Sequence, residues 1–381
     1  MKQAVAATGP AHDVETPAIE FRRQLLAWYR EHARVLPWRG IDDPYATWLS
    51  EIMLQQTRVA TVIDRYREFL QRFPTLQALA AAEENDVLAL WSGLGYYRRA
   101  RMLHRGAQFV VDELQGKMPR TAAELKALPG VGDYTAAAIA SIAFGESVAV
   151  VDGNVERVLL RLMGLPEERS TKGRARVTRA AQALVPSAAK RGIGNPPGDH
   201  NQAMMELGAT ICTPKSPLCL HCPVVGICRT RGEHTTPKRD KQKSRSVACL
   251  LIRRGEKVLL ERRAAEASLM PGMLELPPLP MDAVAEYEPV LRVRHAITNT
   301  NYDVQVFAES KLRDTIPAAA KDLVWTPVAK LREIPLTGLA RKVLQRLGII
   351  LSPNLATNLG APSSARFLAP KVGIARKGDR S

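Results

Sequence analysis

Cys212, Cys219, Cys222 and Cys228 lie at separations of x6, x2 and x5. Four thiolates this close in sequence can wrap one small centre, either a zinc ion with four sulfur ligands or a [4Fe–4S] cluster. Zinc ribbons present two CxxC knuckles, and this stretch holds one; His221 inside it is redundant beside four sulfurs. A second chemical stretch is LPGVG (128 to 132), followed by an apolar run and an isolated aspartate, Asp152. Gly130 and Gly132 around Val131 make a turn that leaves N–H groups free at the start of the next helix, which suits a phosphate. The third group is Glu51, within WLSEIMLQQT. Taken by itself, a glutamate on a helix is ordinary solvated surface.

Helices have to position these groups. Thr121-Ala-Ala-Glu124 has the spacing of a capping box and predicts a helix from near Thr121 that carries Leu125 and Leu128, so the region reads as helix, hairpin, helix. Trp48, Ile52, Val59, Ile63, Tyr66 and Leu70 recur at helical spacing from near Ala46 to Arg72, with a break at Gln55-Gln56-Thr57 where Thr57 caps the second half. Further helices are expected over 21–36, 78–90, 97–114, 155–162, 174–184 and 200–212, with a loop at 192–198. Between two of them, Tyr96-Tyr97 precedes Arg98, Arg99 and Arg101. Such a run either stacks on bases and holds phosphates or forms a buried corner with a solvated face.

From Ser246 the period changes. VACLLIRRGEKVLLERR reads as a β-hairpin turning at Arg254-Gly255, with strands over 302–307 and 323–325, a closing helix over 339–347 and Cys249 in the core. The expected organisation is a disordered leader (1–20), an all-α domain (21–228), a basic linker (229–245), an α+β domain (246–350) and a basic disordered tail (351–381).

The 381 residues carry a formal charge of +16 and a pI near 9.9, which favours a polyanionic partner, nucleic acid before an anionic membrane surface. Much of the excess sits in the linker, with seven Lys/Arg against two acids, and in the tail, with five against one. No apolar stretch suits a signal peptide or a membrane span, and the cysteine pattern fits a reducing compartment; the reading is a soluble, cytoplasmic, nucleoid-associated protein.

Together these stretches resemble one family. LPGVG, a helix and then VDGNV resemble the helix-hairpin-helix DNA glycosylases, and the cysteine spacing matches the iron–sulfur loop of their endonuclease III branch. LPWR, DPY and WLSEIMLQQT within 36–57, GYYRRARMLH (95–104) and HNQAMMELG (200–208) are similar to the adenine DNA glycosylases of the MutY type. The resemblance covers roughly Leu36 to Cys228. It implies a six-helix barrel and an iron–sulfur module holding a [4Fe–4S] cluster on the four cysteines. It also implies a monomer that binds double-stranded DNA with adenine opposite 8-oxoguanine or guanine. Glu51 would protonate adenine N7 and help activate water, and Asp152 would stabilise the oxocarbenium-like sugar, with Asn154 and Tyr134 orienting them. Trp38, Arg39 and Glu206 match positions around the extruded adenine. Leu54, Gln56 and Tyr96 match residues that probe the opposite strand, beside Thr57 and the Gly130-Val131-Gly132 hairpin on the DNA. Relatives that also cut the backbone carry at position 134 a lysine that forms a Schiff base, so Tyr134 implies base removal alone. The alternative is an endonuclease III-like glycosylase with lyase activity on oxidised pyrimidines.

The C-terminal domain resembles the Nudix-like domain of the same enzymes through KVLLERR (257–263) and GMLELP (272–277). It lacks the Nudix box of glutamates and so implies recognition without hydrolysis. Sixteen residues, 278–293, separate GMLELP from Arg294-His295, so the helix usual there is expected to be cut short. The family's Phe-Ser-His loop aligns with Ile297-Thr298-Asn299, where Thr298 and Asn299 are expected to read 8-oxoguanine.

Overall fold

Helices build the chain as far as Thr210, and strands begin at Lys243. The computed structural model describes residues 15–350 apart from 169, 188–194, 235–242, 268, 298–299 and 313–321. The tail, most of the leader, part of the basic linker, and Thr298 and Asn299 therefore lie outside the described residues.

The central helix is α2 (Pro44–Leu54). Asp43 caps it by accepting from Tyr45 N, proline occupies its first turn, and nine of its eleven residues, Tyr45 to Met53, are buried, so it is wrapped on all sides. Around it stand α3 (Val59–Arg72), α4 (Leu76–Ala80), α5 (Glu84–Leu90), α6 (Arg98–Glu113), α7 (Ala122–Leu125) and α8 (Asp133–Phe144), sharing a core that includes Trp48, Phe69, Trp91 and Ile139. A second helical layer gathers α1 (Glu15–His32), α9 (Gly153–Met163), α10 (Thr171–Leu184) and α11 (Pro196–Thr210) around Phe21, Leu25, Leu159, Met204 and Leu207. α11 packs on both α8 and α9 and so joins the layers.

The capping box is present: Thr121 Oγ1 accepts from Glu124 N and Glu124 accepts from Thr121 N. Several bounds differ from those read in the sequence. α1 begins at Glu15, inside the expected leader, and α7 ends at Leu125, so Leu128 reaches the core from the turn beyond it. The break after α2 falls as expected, but Arg58 and not Thr57 is the N-cap of α3, because the Thr57 hydroxyl is spent on the Gln55 and Leu94 carbonyls. The 78–90 run is two helices, α4 and α5. α11 reaches back into the expected loop because Asn195 caps it by accepting from Gly198 N and prolines occupy its first turn.

The C-terminal part keeps the hairpin turn at Arg254-Gly255 but shortens its first strand to Arg253–Arg254 and places VACLLI elsewhere. β1 (Lys243–Leu251) runs parallel to β7 (Thr300–Ala308) in a sheet of order β5-β1-β7-β6, where β5 is Pro278–Leu279 and β6 is Leu291–Ile297. The short β2 (Arg253–Arg254) forms the hairpin with β3 (Lys257–Arg262), which also pairs with β4 (Leu274–Glu275) and β8 (Leu323–Pro327) in a second sheet. The chain changes sheet at Ile252. The VACLLI run lacks alternation because both faces of β1 are covered: Cys249 faces one core and Ala248 and Leu250 the other. Where a shortened helix was expected there is a 3-10 turn, Asp282–Val284. α12 (Gly338–Arg346) closes the domain.

The two parts are sewn together. Met273 lies fully buried in the helical core. Tyr97 Oη donates to Leu336 O at 2.9 Å, Arg341 Nε donates to Ser92 Oγ, and Arg101 donates to Pro271 O at 2.8 Å. Among the described residues no helix is long and apolar enough to cross a membrane.

Candidate active site

Three elements bring an acidic cluster together. α2 carries Glu51 inward, α8 carries Tyr134 in its first turn, and α9 begins at Asp152, with α11 packed behind. Tyr134 Oη donates to Glu51 Oε2 at 2.6 Å and also touches Met205 Sδ at 3.5 Å. Glu51 is 5% exposed. Burial raises its carboxyl to about 7; the Asp152 charge pushes the same way, while the Tyr134 hydrogen bond and Arg39 oppose it. At neutral pH Glu51 is thus divided between acid and carboxylate, as a proton donor that must reload requires. The Tyr134 phenol is held well above its ordinary value, by burial first and then by Glu51 and Asp152, and stays a neutral donor.

Asp152 is the N-cap of α9. Its Oδ1 accepts from Val155 N at 2.7 Å and its Oδ2 from Asn154 Nδ2 at 3.0 Å, so the carboxylate is fixed at the positive end of a helix. Asn201 clamps the loop before it, accepting from Val150 N and donating to Val148 O. Asn154 is steered in turn by Arg157, which donates to Asn154 Oδ1, Gly208 O and Cys212 O.

Glu206 lies on the far side, 1% exposed at its side chain, between Arg34 and Arg39. Burial alone would raise its carboxyl, but the bonds from the two arginines outweigh it and bring it to about 2. Arg39 therefore bridges the Glu206 pair and the field at Glu51. Trp38 is buried edge-on against Tyr66, with ring centroids 5.5 Å apart, in the wall of the main core. Arg34, missed in the sequence, sits just ahead of the LPWR block.

Leu54, Gln56 and Tyr96 lie apart from these acids. Leu54 is half-buried at the end of α2, while Gln56 and Tyr96 are exposed and both hold left-handed backbone, φ 56° and 49°. Both line an open cleft of about 1230 Å³ between the helical and C-terminal parts, with Arg98, Arg105, His295 and Lys342. Thr57 sits beneath them. Pro129 and Gly130 line the same cleft. A Cβ on Gly130 would meet Met102 Cβ at 2.4 Å, so only glycine fits, whereas Gly132 faces open space and Val131 is buried.

Cys212, Cys219, Cys222 and Cys228 line one small pocket with Arg161. Burial, and then the charges of Cys212, Cys228 and Cys219, push the Cys222 thiol up to about 11 despite a backbone hydrogen bond. Such a donor set suits a cationic centre that lets the four thiols ionise together. Among the described residues no three metal-ligating side chains stand close enough for a single metal ion. Four sulfurs lining one small pocket can hold a single compact centre. Arg161, buried on α9, donates to Cys212 Sγ and to Thr213 O and Pro214 O, and binds this loop to the helix that starts at Asp152. Arg157 and Arg161 fall four residues apart on the helix after VDGNV, the spacing that could have revealed them.

Residues 49–186 match the family model of the HhH-GPD superfamily base excision DNA repair protein. A structure of a thermostable thymine-DNA glycosylase superposes with a TM-score of 0.51 at 28% identity, over 57% of this chain and 97% of that one. Residues 49–186 are thus similar to this helix-hairpin-helix base-excision superfamily, and the helical part shares the fold of that glycosylase. Within it, the chain is similar to adenine DNA glycosylases. It is 53% identical to that of Mus musculus over 219 residues and 52% identical to that of Homo sapiens over 221 residues. Each match takes in 55% of this chain but 41% and 39% of those relatives, so the chain spans less than half of their length.

Proposed function

We propose that the protein removes adenine from duplex DNA in which it is mispaired with 8-oxoguanine or guanine, cutting the N-glycosidic bond and leaving the backbone intact. The hydrogen bond from Tyr134 to a Glu51 carboxyl poised near 7 carries the reading. With the nucleotide extruded into the pocket, the Glu51 carboxylic acid gives its proton to adenine N7. The C1′–N9 bond breaks, adenine leaves with the bonding pair, and positive charge develops on the sugar beside the Asp152 carboxylate. Water then adds at C1′, and the Glu51 carboxylate takes its proton. Asn154 holds Asp152, and the Arg34–Glu206–Arg39 group frames the base side of the pocket.

A tyrosine at position 134 offers no amine for a Schiff base, which favours base removal over the glycosylase/lyase alternative. Residues 21–228 form the catalytic unit and 246–350 the unit that inspects the opposite base, where Thr298 and Asn299 take the place of the reading loop. DNA fits the cationic cleft that holds Gln56 and Tyr96. Cys212, Cys219, Cys222 and Cys228 hold a [4Fe–4S] cluster. Bound there, such a cluster would tie the loop rigidly through the four thiolates, and a hydrolysis would draw no electrons from it. Adenine release by Glu51→Gln tests the assignment: a drop of about 10²-fold or more supports an acid role, and an unchanged rate overturns it.

A further inference from the structure

α2 ends without the usual devices. Its last turn has no basic residue, its C-cap Gln55 is followed by Gln56 in left-handed backbone where glycine is the normal choice, and its terminal carbonyls need donors from elsewhere. Thr57 N meets the Leu54 carbonyl, and one side chain meets its neighbours. Arg99 NH1 donates to the carbonyls of Ile52, Met53 and Gln55, the first two at 2.7 and 3.1 Å. Its NH2 donates to Thr57 Oγ1 at 3.1 Å and to Leu94 O and Gly95 O at 3.0 and 3.1 Å. The guanidinium lies 5.5 Å from the ring centroids of both Trp91, which is fully buried, and Tyr96, which is 45% exposed.

A single planar fork thus joins two segments distant in sequence, each bearing one non-glycine residue in left-handed backbone that points into the same cleft. Left-handed backbone costs a glutamine or tyrosine about 1 kcal/mol or more and persists when its surroundings over-determine it. Arg99 provides that constraint on both sides at once.

We infer that Arg99 is a positioning residue that locks Gln56 and Tyr96 into one preformed two-point probe at the rim of the cleft, set before DNA arrives. The inference rests on the proposed function, in which these two residues meet the strand opposite the target adenine. The probe acts on base extrusion and not on bond cleavage, so its loss separates duplexes that resist opening from those that do not.

The test uses the full chain, with adenine opposite 8-oxoguanine and adenine opposite an abasic site, which needs no pair to be broken. Arg99→Met is expected to slow single-turnover release from the first by on the order of 100-fold and from the second by no more than about tenfold. Arg99→Lys is expected not to rescue, since one ammonium cannot span the two carbonyl groups. Arg99→Met added to the paired Gln56→Ala and Tyr96→Ala substitutions should cause no further loss, because both members of the probe are already gone. Equal losses on both duplexes, rescue by lysine, or additive effects would each overturn the inference in favour of plain structural support. The two levels are separable. An unsubstituted protein that releases no adenine removes the proposed function, whereas normal release with Arg99→Met indistinguishable from it removes this inference alone.

Discussion

The Tyr134 hydroxyl donates to Glu51 Oε2 over 2.6 Å, joining the first turn after the glycine hairpin to a carboxyl buried on another helix. Because burial holds Glu51 near 7, base release should depend on its protonated form and fall as pH rises through that value. The Tyr134 bond favours the carboxylate. Tyr134→Phe should therefore move the alkaline limb to higher pH, which a single-turnover pH profile would show; a limb that stays in place means that another group titrates.

Glu51 also carries a stability cost. Its folded-state value of about 7 exceeds the ordinary 4.5, so the folded protein binds the proton more tightly and loses stability as pH rises from about 4.5 through 7. Glu51→Gln should raise the unfolding free energy at pH 8 by up to about 3 kcal/mol, and by little near pH 4.5. Thermal melts at the two pH values check this, and a variant less stable at pH 8 contradicts it.

Replacing Glu206 by glutamine leaves Arg34 and Arg39 without a buried counter-charge. The cost should be about 3 kcal/mol by denaturant titration, since breaking one side of a buried pair strands the other. A loss below about 1 kcal/mol would mean that the arginines find water instead.

Cys222→Ser should abolish the broad absorbance at about 400 nm expected of an iron–sulfur centre and lower the bound iron. With Arg161 and Arg157 left holding a loose loop, limited proteolysis should then cut between residues 212 and 234. Zinc in place of iron in the unsubstituted protein would overturn the cluster assignment.

The helical site was legible where local signals coincide with chemistry. The Thr121–Glu124 box, the glycine turn and the apolar spacing around Trp48 are each short-range, and they placed Glu51 and Tyr134 on helices, whereas Asp152 reads in the sequence only as an isolated acid after a loop and is the N-cap of α9. The roles of Arg34, Arg99, Arg157 and Arg161 were not legible, because most of their partners are backbone carbonyls, a carboxylate or a thiol supplied by distant segments. The β-hairpin turning at Arg254-Gly255 is present between β2 and β3, but it does not take in β1, for a related reason. VACLLI and KVLLER are both good strands, but the partner of β1 is β7, about fifty residues further on, and parallel pairing leaves no turn signal between them.

The central claim is that Glu51 and Asp152 cleave an N-glycosidic bond with no amine nucleophile at position 134. It is tested most directly by incubating the protein with duplexes bearing adenine opposite 8-oxoguanine, adenine opposite guanine, and thymine glycol, each with and without borohydride. The account predicts free adenine from both mispairs, an abasic but unbroken strand, and no trapped adduct. Release from thymine glycol with a borohydride-trapped protein–DNA adduct, or no adenine from either mispair, would contradict it.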